Sequence, residues 1–256
     1  MVKISKNIKM SKQTTFKIGG RARYFVEPRS VDELIEVLKY AAENKIYKVF
    51  LGGGSNVLFP DYDMDCIVIS SGKLCDISYS NGILTAGAGV SIKSLNKYCI
   101  AHGLSGLEFS CGLPGSAGGA VYMNARCYGR EFGDAVVNVY ALDADLNRIV
   151  YTHKMINYSY KRSVFMDDDN IFIYRIEFAV TPADRKEVKR LSYKNYHDRK
   201  DKGQYKYPSA GCAFKNDYSV GIPSGKLIDD AGLKGLTLGG AAVYEKHANF
   251  VINKSH

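Results

Sequence analysis

The sequence predicts a fold that mixes helices with strands, and three observations predict it. A strand–helix–strand unit opens the chain, alternating strands fill its middle, and two glycine-rich loops interrupt the apolar segments. At 256 residues the chain can form one large domain or two to three small ones, with ample apolar content for packed cores.

The residues up to Ser11 are polar and read as irregular chain or a loosely packed strand. A turn over residues 14–20 leads to a strand at 22–28. Ser30 then stands as a cap before residues 31–41, with Glu33 at the capping-box position and apolar residues at helical spacing; this predicts a helix. Residues 47–51 form a short strand that runs straight into Gly52-Gly53-Gly54-Ser55-Asn56. The glycine loop thus sits at the carboxyl end of the second strand of a βαβ unit, where such folds place ligands.

Further strands are expected at 66–70 and 82–88, and a helix at 92–102 with Leu95, Cys99 and Ile100 on one face and Gly103 at its end. Residues 134–142 and 148–151 pair as strands about a turn at 143–147, and 170–180 alternates as another strand. Pro182-Ala183-Asp184 opens a charged helix to about Asp201, the expected linker between domains. The remainder holds a glycine-rich turn, a short helix near 227–231 and a final strand at 248–252.

The second glycine loop, 110–125, contains Gly112, Pro114, Gly115, Gly118 and Gly119. Glycine serves where backbone takes positive φ or approaches something that a Cβ would block. Backbone N–H groups in such loops cradle phosphate oxygens. For this loop alone, that reading and a pair of tight turns are evenly matched. The loop at Gly52 tips the balance, because two phosphate cradles in one chain suggest a dinucleotide. No G-x-G-x-x-G opens a helix, so the Rossmann fingerprint is absent.

The formal charge of +9 would attract polyanions, but the basic residues are dispersed apart from a cluster between Arg185 and Lys206. That distribution suits solubility or a phosphorylated small substrate. There is no apolar run of transmembrane length and no signal-peptide core, which points to a cytoplasmic protein. Cys66, Cys75, Cys99, Cys111, Cys127 and Cys212 show neither CxxC pairing nor metal spacing, so reduced thiols and no metal are expected. The expected state is a monomer without nucleic-acid or membrane partners.

Five stretches occur in one order: TTFKIGG-ARYFVEP, LGGGSNVL, GLPGSAGGAVYMNA, PSAGCAFKN and LIDDAGLKGLTLGGAAVYEKHANFVIN. Together they resemble the bacterial UDP-N-acetylenolpyruvoylglucosamine reductase family in its shorter form, over nearly the whole chain. The resemblance implies an α+β fold class. An FAD-binding region of the vanillyl-alcohol-oxidase type, built from subdomains at 1–72 and 73–183, would precede a smaller α+β substrate-binding domain at 184–256. It also implies FAD as cofactor and NADPH as hydride-donating cosubstrate. The reaction would be reduction of a small UDP-sugar, UDP-N-acetylglucosamine enolpyruvate, to UDP-N-acetylmuramate in peptidoglycan precursor synthesis.

Carried over by residue, the resemblance places Gly52, Gly53, Gly54, Ser55 and Asn56 at the FAD pyrophosphate, together with Gly112, Leu113, Pro114, Gly115, Ser116, Gly118 and Gly119. Asn124 and Ala125 would line the flavin. Thr15-Phe16 and Gly19-Gly20 match the first family motif and read either as flavin contacts or as a plain turn. Where the family has a proton-donating serine, this sequence has Cys212, and a thiol releases its proton more easily than an alcohol. The alternative for Cys212 is a small buried apolar residue.

The family's arginine, in an aromatic-x-Tyr-Arg-x-Ser pattern, falls on Lys161 by register, with Arg162 as the alternative. On a strand the two would face opposite ways, and lysine lacks the planar fork that grips a carboxylate twice. Lys215 and Asn216 match the FKN that holds the substrate diphosphate. Lys200 lies in the basic segment approaching it, with Tyr196, Lys202 and Lys206 nearby in sequence. His247 is expected as a structural hydrogen-bonding residue, and Arg126 stands where the family usually has glycine. The family's third catalytic residue is a glutamate beyond the HANF strand, and no glutamate follows Glu245 here. The alternative expectation is therefore a flavin- or nucleotide-binding protein with impaired turnover.

Overall fold

The computed structural model describes residues 2–255. The chain divides into two compact units: 1–8, 22–53 and 65–196 form the first, and 9–21, 54–64 and 197–256 the second.

The first unit holds two sheets. One is four-stranded, in the spatial order Ser5–Lys9, Arg21–Val26, Met64–Ser70, Tyr47–Leu51, and its last two strands run parallel. Helix α1, Val31–Glu43, buries Leu34, Val37, Leu38 and Ala41 in the core that also contains Ile67 and Ile69. Its start differs in detail from a capping box. The Ser30 hydroxyl accepts from the Glu33 N–H (3.1 Å), but the Glu33 carboxylate reaches past Ser30 to the Arg29 N–H (2.7 Å).

The other sheet is five-stranded and antiparallel throughout, in the order Arg148–Thr152, Val136–Leu142, Phe172–Ala179, Ile83–Gly87, Ile77–Ser80. Helix α2, Ile92–His102, buries Ile92, Leu95 and Cys99 in its core and ends at Gly103, whose φ of 62° is the left-handed cap that glycine supplies. Helix α3, Ala117–Tyr122, adds Ala117, Ala120 and Val121 to the same core. A short helix α4, His153–Ile156, follows the outermost strand. Helix α5, Arg185–Asp201, begins where the Asp184 carboxylate accepts the Lys186 and Glu187 N–H groups (2.6 and 3.1 Å).

The second unit contains a four-stranded antiparallel sheet ordered Ser209–Cys212, His247–Asn253, Ala241–Tyr244, Thr237–Leu238, with helix α6 at Ser224–Asp230. Ala242, Tyr244, Phe250 and Ile252 form its small core, with Tyr207 packed alongside. Among the described residues no helix is long and apolar enough to cross a membrane, and no cluster of His, Cys, Asp and Glu is arranged to hold a metal ion.

Candidate active site

In the first unit the two glycine loops meet. Gly52 and Gly53 leave the strand Tyr47–Leu51 at its carboxyl end. A Cβ on Gly53 would lie 2.5 Å from the Gly115 Cα, and one on Gly52 would lie 2.7 Å from the Ser116 hydroxyl oxygen. Neither position can carry a side chain without moving its neighbour; Gly53 lies backbone against backbone with Gly115, and Gly52 lies against the Ser116 hydroxyl. Gly112 and Gly115 take φ values of 86° and 115°, which a side chain rarely adopts.

The second loop is pinned from behind by the residues that lead into α2. Ile92 N–H donates to the Gly115 carbonyl (3.0 Å), Ala117 N–H to Val90 (2.8 Å) and Gly118 N–H to Ala88 (2.9 Å). The Ser116 hydroxyl accepts from Gly119 N–H at 3.4 Å. A cradle with backbone walls fits a diphosphate, whose oxygens take N–H donors and need close approach. The remaining half of the first loop belongs to the second unit, where Gly54 has a φ of 63° and its carbonyl accepts the Thr15 N–H (2.9 Å). The Thr15 hydroxyl donates to the Ser209 carbonyl (2.7 Å), so this motif residue ties two loops of that unit together.

Asn124 is fully buried. Its amide donates to the Glu131 carboxylate (2.8 Å) and to the Ser159 carbonyl (2.9 Å), and its Oδ1 accepts the Gly133 N–H (2.9 Å). Both amide hydrogens are thereby used inside the protein, where the side chain ties together the loops of Glu131, Gly133 and Ser159. Ala125 N–H is likewise committed, to the Ala120 carbonyl (2.8 Å).

The condition under which Lys161 and Arg162 would face opposite ways is not met, because the segment is a turn. Ser159 and Arg162 exchange two backbone hydrogen bonds of 3.1 Å each, and Lys161 has a left-handed φ of 51°. Arg162 forms an exposed ion pair with Asp167. The Lys161 ammonium lies 5.9 Å from the centre of the Tyr160 ring, and the Arg126 guanidinium is also 5.9 Å from it. Arg126 therefore contributes to the same turn.

In the second unit Cys212 ends the strand Ser209–Cys212 and is exposed, which removes its reading as a buried apolar residue. The pairing with His247–Asn253 slips between Ser209 and Cys212, and Gly211 takes a φ of 81° there. The irregularity lies immediately before Cys212. The following loop is clamped by Asn249, whose side chain accepts from Phe214 N–H and donates to the Phe214 carbonyl (2.9 Å each). Asn216 and Lys215 secure the start of α6: Oδ1 of Asn216 accepts the Ser224 N–H (3.0 Å), and the Lys215 carbonyl accepts the Ser224 hydroxyl (2.7 Å). Lys200 is an exposed residue in the last turn of α5.

Other thiols have a different character. Burial pushes Cys99 up to about 12, helped by the Glu108 charge, and burial also raises Cys66; both are inert core thiols. His247 makes no hydrogen bond through Nδ1. That atom is buried without a partner among the described residues, and the ring packs 4.3 Å from Phe250. Burial holds its imidazole below the ordinary value.

Asn249 and Ser163 are supporting residues that the family motifs do not single out. Asn249 is a buried polar side chain between Ala248 and Phe250 on a strand, and that contrast was the available signal. Ser163 is equally buried, and its hydroxyl donates to the Tyr122 carbonyl (2.6 Å).

A family model described as an FAD binding domain matches residues 22–147, and one described as the C-terminal domain of UDP-N-acetylenolpyruvoylglucosamine reductase matches residues 203–256. The UDP-N-acetylenolpyruvoylglucosamine reductase of Borreliella burgdorferi is 38% identical over 245 residues, covering 95% of this chain and 81% of its own. That of Treponema denticola is 38% identical over 257 residues, covering 94% and 80%. The crystal structure of UDP-N-acetylenolpyruvylglucosamine reductase (MurB) from Thermus caldophilus superposes with a TM-score of 0.86 at 31% identity, covering all of this chain and 90% of that one.

Proposed function

The chain belongs to the UDP-N-acetylenolpyruvoylglucosamine reductase family, and from that membership we propose that it reduces UDP-N-acetylglucosamine enolpyruvate to UDP-N-acetylmuramate with FAD and NADPH, in peptidoglycan precursor synthesis. The observation that carries the reading is the backbone contact between Gly53 and Gly115, within the segment that matches an FAD binding domain. Bound FAD supplies hydride transfer from NADPH to C3 of the enolpyruvyl group.

The chain's own residues hold, orient and protonate. Gly52 to Asn56 and Gly112 to Gly119 cradle the FAD pyrophosphate by close backbone approach and by backbone N–H groups other than those of Leu113, Ala117, Gly118 and Gly119, which donate within the protein. Lys161 meets the substrate carboxylate and stabilises the negative charge that grows towards it. Register selects it over Arg162. The Cys212 Sγ donates the proton that completes reduction at C2, and the exposure of this thiol supports that role. Lys215, Asn216 and Lys200 bind the diphosphate of the UDP-sugar.

In this reading the FAD-binding region spans 1–183, as subdomains 1–72 and 73–183, and the substrate-binding domain spans 184–256. The protein acts as a monomer in the cytoplasm, where a nucleotide sugar and NADPH are both at hand. The test is a steady-state assay with the FAD-loaded protein. NADPH is consumed only when UDP-N-acetylglucosamine enolpyruvate is present, with one UDP-N-acetylmuramate formed per NADPH. Consumption that ignores this substrate contradicts the proposal.

A further inference from the structure

We propose that Asn124 and Ser163 are positioning residues for the reductase reaction, fastening the turn that carries Lys161 and Arg162 to the chain that leaves the second glycine loop. The inference rests on the reading that one of these two cations meets the substrate carboxylate.

The turn is tied on both sides. Before it, the Asn124 amide donates to the Ser159 carbonyl (2.9 Å). After it, the Ser163 hydroxyl donates to the Tyr122 carbonyl (2.6 Å). Tyr122 is the last residue of α3, and Asn124 follows two positions later, so both ties end on the short segment that directly continues the cradle. Asn124 is 0% and Ser163 1% exposed, so water does not replace either bond. Asn124 is itself fixed by the Glu131 carboxylate and the Gly133 N–H, which leaves its amide one orientation.

The turn needs such support. Lys161 occupies left-handed backbone, a conformation that a lysine keeps only when its surroundings over-determine it. The Arg162–Asp167 pair is half exposed on both partners and contributes little rigidity. The two buried ties therefore define where the cations stand relative to the glycine cradle of the same unit. A cation displaced by about 1 Å from its working position costs about 100-fold in rate.

The test compares Ser163→Ala and Asn124→Gly, the latter keeping the positive φ without strain, in the FAD-loaded enzyme. The expected result has three parts. Amide hydrogens of residues 159–162 exchange faster than in the parent in both variants, while Ser163→Ala retains FAD content and flavin reduction by NADPH. Substrate-driven reoxidation slows by about 100-fold, with kcat falling more than KM rises. In a Lys161→Gln/Arg162→Gln background the same substitutions add less than about twofold, because the group they position is gone. Faster exchange with unchanged reoxidation overturns the proposal, as does full additivity with the double variant. Normal reoxidation in the Lys161→Gln/Arg162→Gln enzyme itself overturns the underlying reading, and the proposal with it. If one of the two variants fails to fold, the other carries the test.

Discussion

Gly53 and Gly115 touch through their backbones: a Cβ built on Gly53 falls 2.5 Å from the Gly115 Cα and 2.7 Å from its carbonyl carbon. No flexible side chain is present to give way, so any larger residue must push one glycine loop off the other. Gly53→Ala is expected to cost about 1–3 kcal/mol of stability and to deplete bound flavin. Flavin absorbance per mole of purified protein, with thermal melting alongside, checks this; full flavin occupancy at the parent melting temperature would show that the contact does not shape the cradle.

Cys212 lies between a strand irregularity and a loop clamped by Asn249, and its thiol is exposed. Cys212→Ala is expected to slow substrate-driven flavin reoxidation by about 10²–10⁴-fold while leaving reduction by NADPH close to the parent rate. Cys212→Ser, which retains a proton donor, recovers part of the loss. Rapid-mixing measurements of the two half-reactions separate these outcomes, and equal loss in both would remove Cys212 from the proton-donor role.

For the cation, Lys161→Gln is expected to raise the KM for the enolpyruvyl substrate and lower kcat, whereas Lys161→Arg keeps the charge and most of the activity. Arg162→Gln loses an exposed pair with Asp167, a change of about 1 kcal/mol or less in stability, and has the smaller kinetic effect. The reverse ranking in steady-state kinetics would transfer the role to Arg162.

His247 gives the second unit a dependence on acidity. Burial lowers its folded-state value below the ordinary 6.5, so the unfolded chain takes up a proton first as pH falls. The associated stability is fully present above 6.5 and is lost as pH drops through 6.5 towards the lower folded value. His247→Phe removes this part of the acid-side decline, and it sacrifices no hydrogen bond at Nδ1. Denaturant unfolding on both sides of that pH, for parent and variant, measures the difference; identical slopes would show that His247 titrates alike in both states.

Much of this fold was legible because its signals are local. Ser30 and Glu33 mark the start of α1 within four residues, and Gly103 ends α2 where a left-handed cap is needed. The strand Ile77–Ser80 is not legible because four residues carry too little alternation, nor is α3, because glycine masks the apolar spacing of Ala117, Ala120 and Val121. The cradle was half legible: composition pointed to two glycine loops, but their contact joins positions more than sixty residues apart. The Lys161 turn was not legible, since its shape depends on Asn124, 35 residues before Ser159. Asn124 itself carried a family role in the sequence, and its inward hydrogen bonds became visible only once Glu131, Gly133 and Ser159 surrounded it.

The proposed reaction requires a bound flavin which NADPH reduces and the enolpyruvyl sugar nucleotide reoxidises. Anaerobic single-turnover spectroscopy of the purified protein tests it most directly. NADPH is expected to bleach the bound flavin, the colour is expected to stay lost until UDP-N-acetylglucosamine enolpyruvate is added, and its return is expected to match the UDP-N-acetylmuramate formed. Flavin that NADPH reduces but this substrate never reoxidises would contradict it.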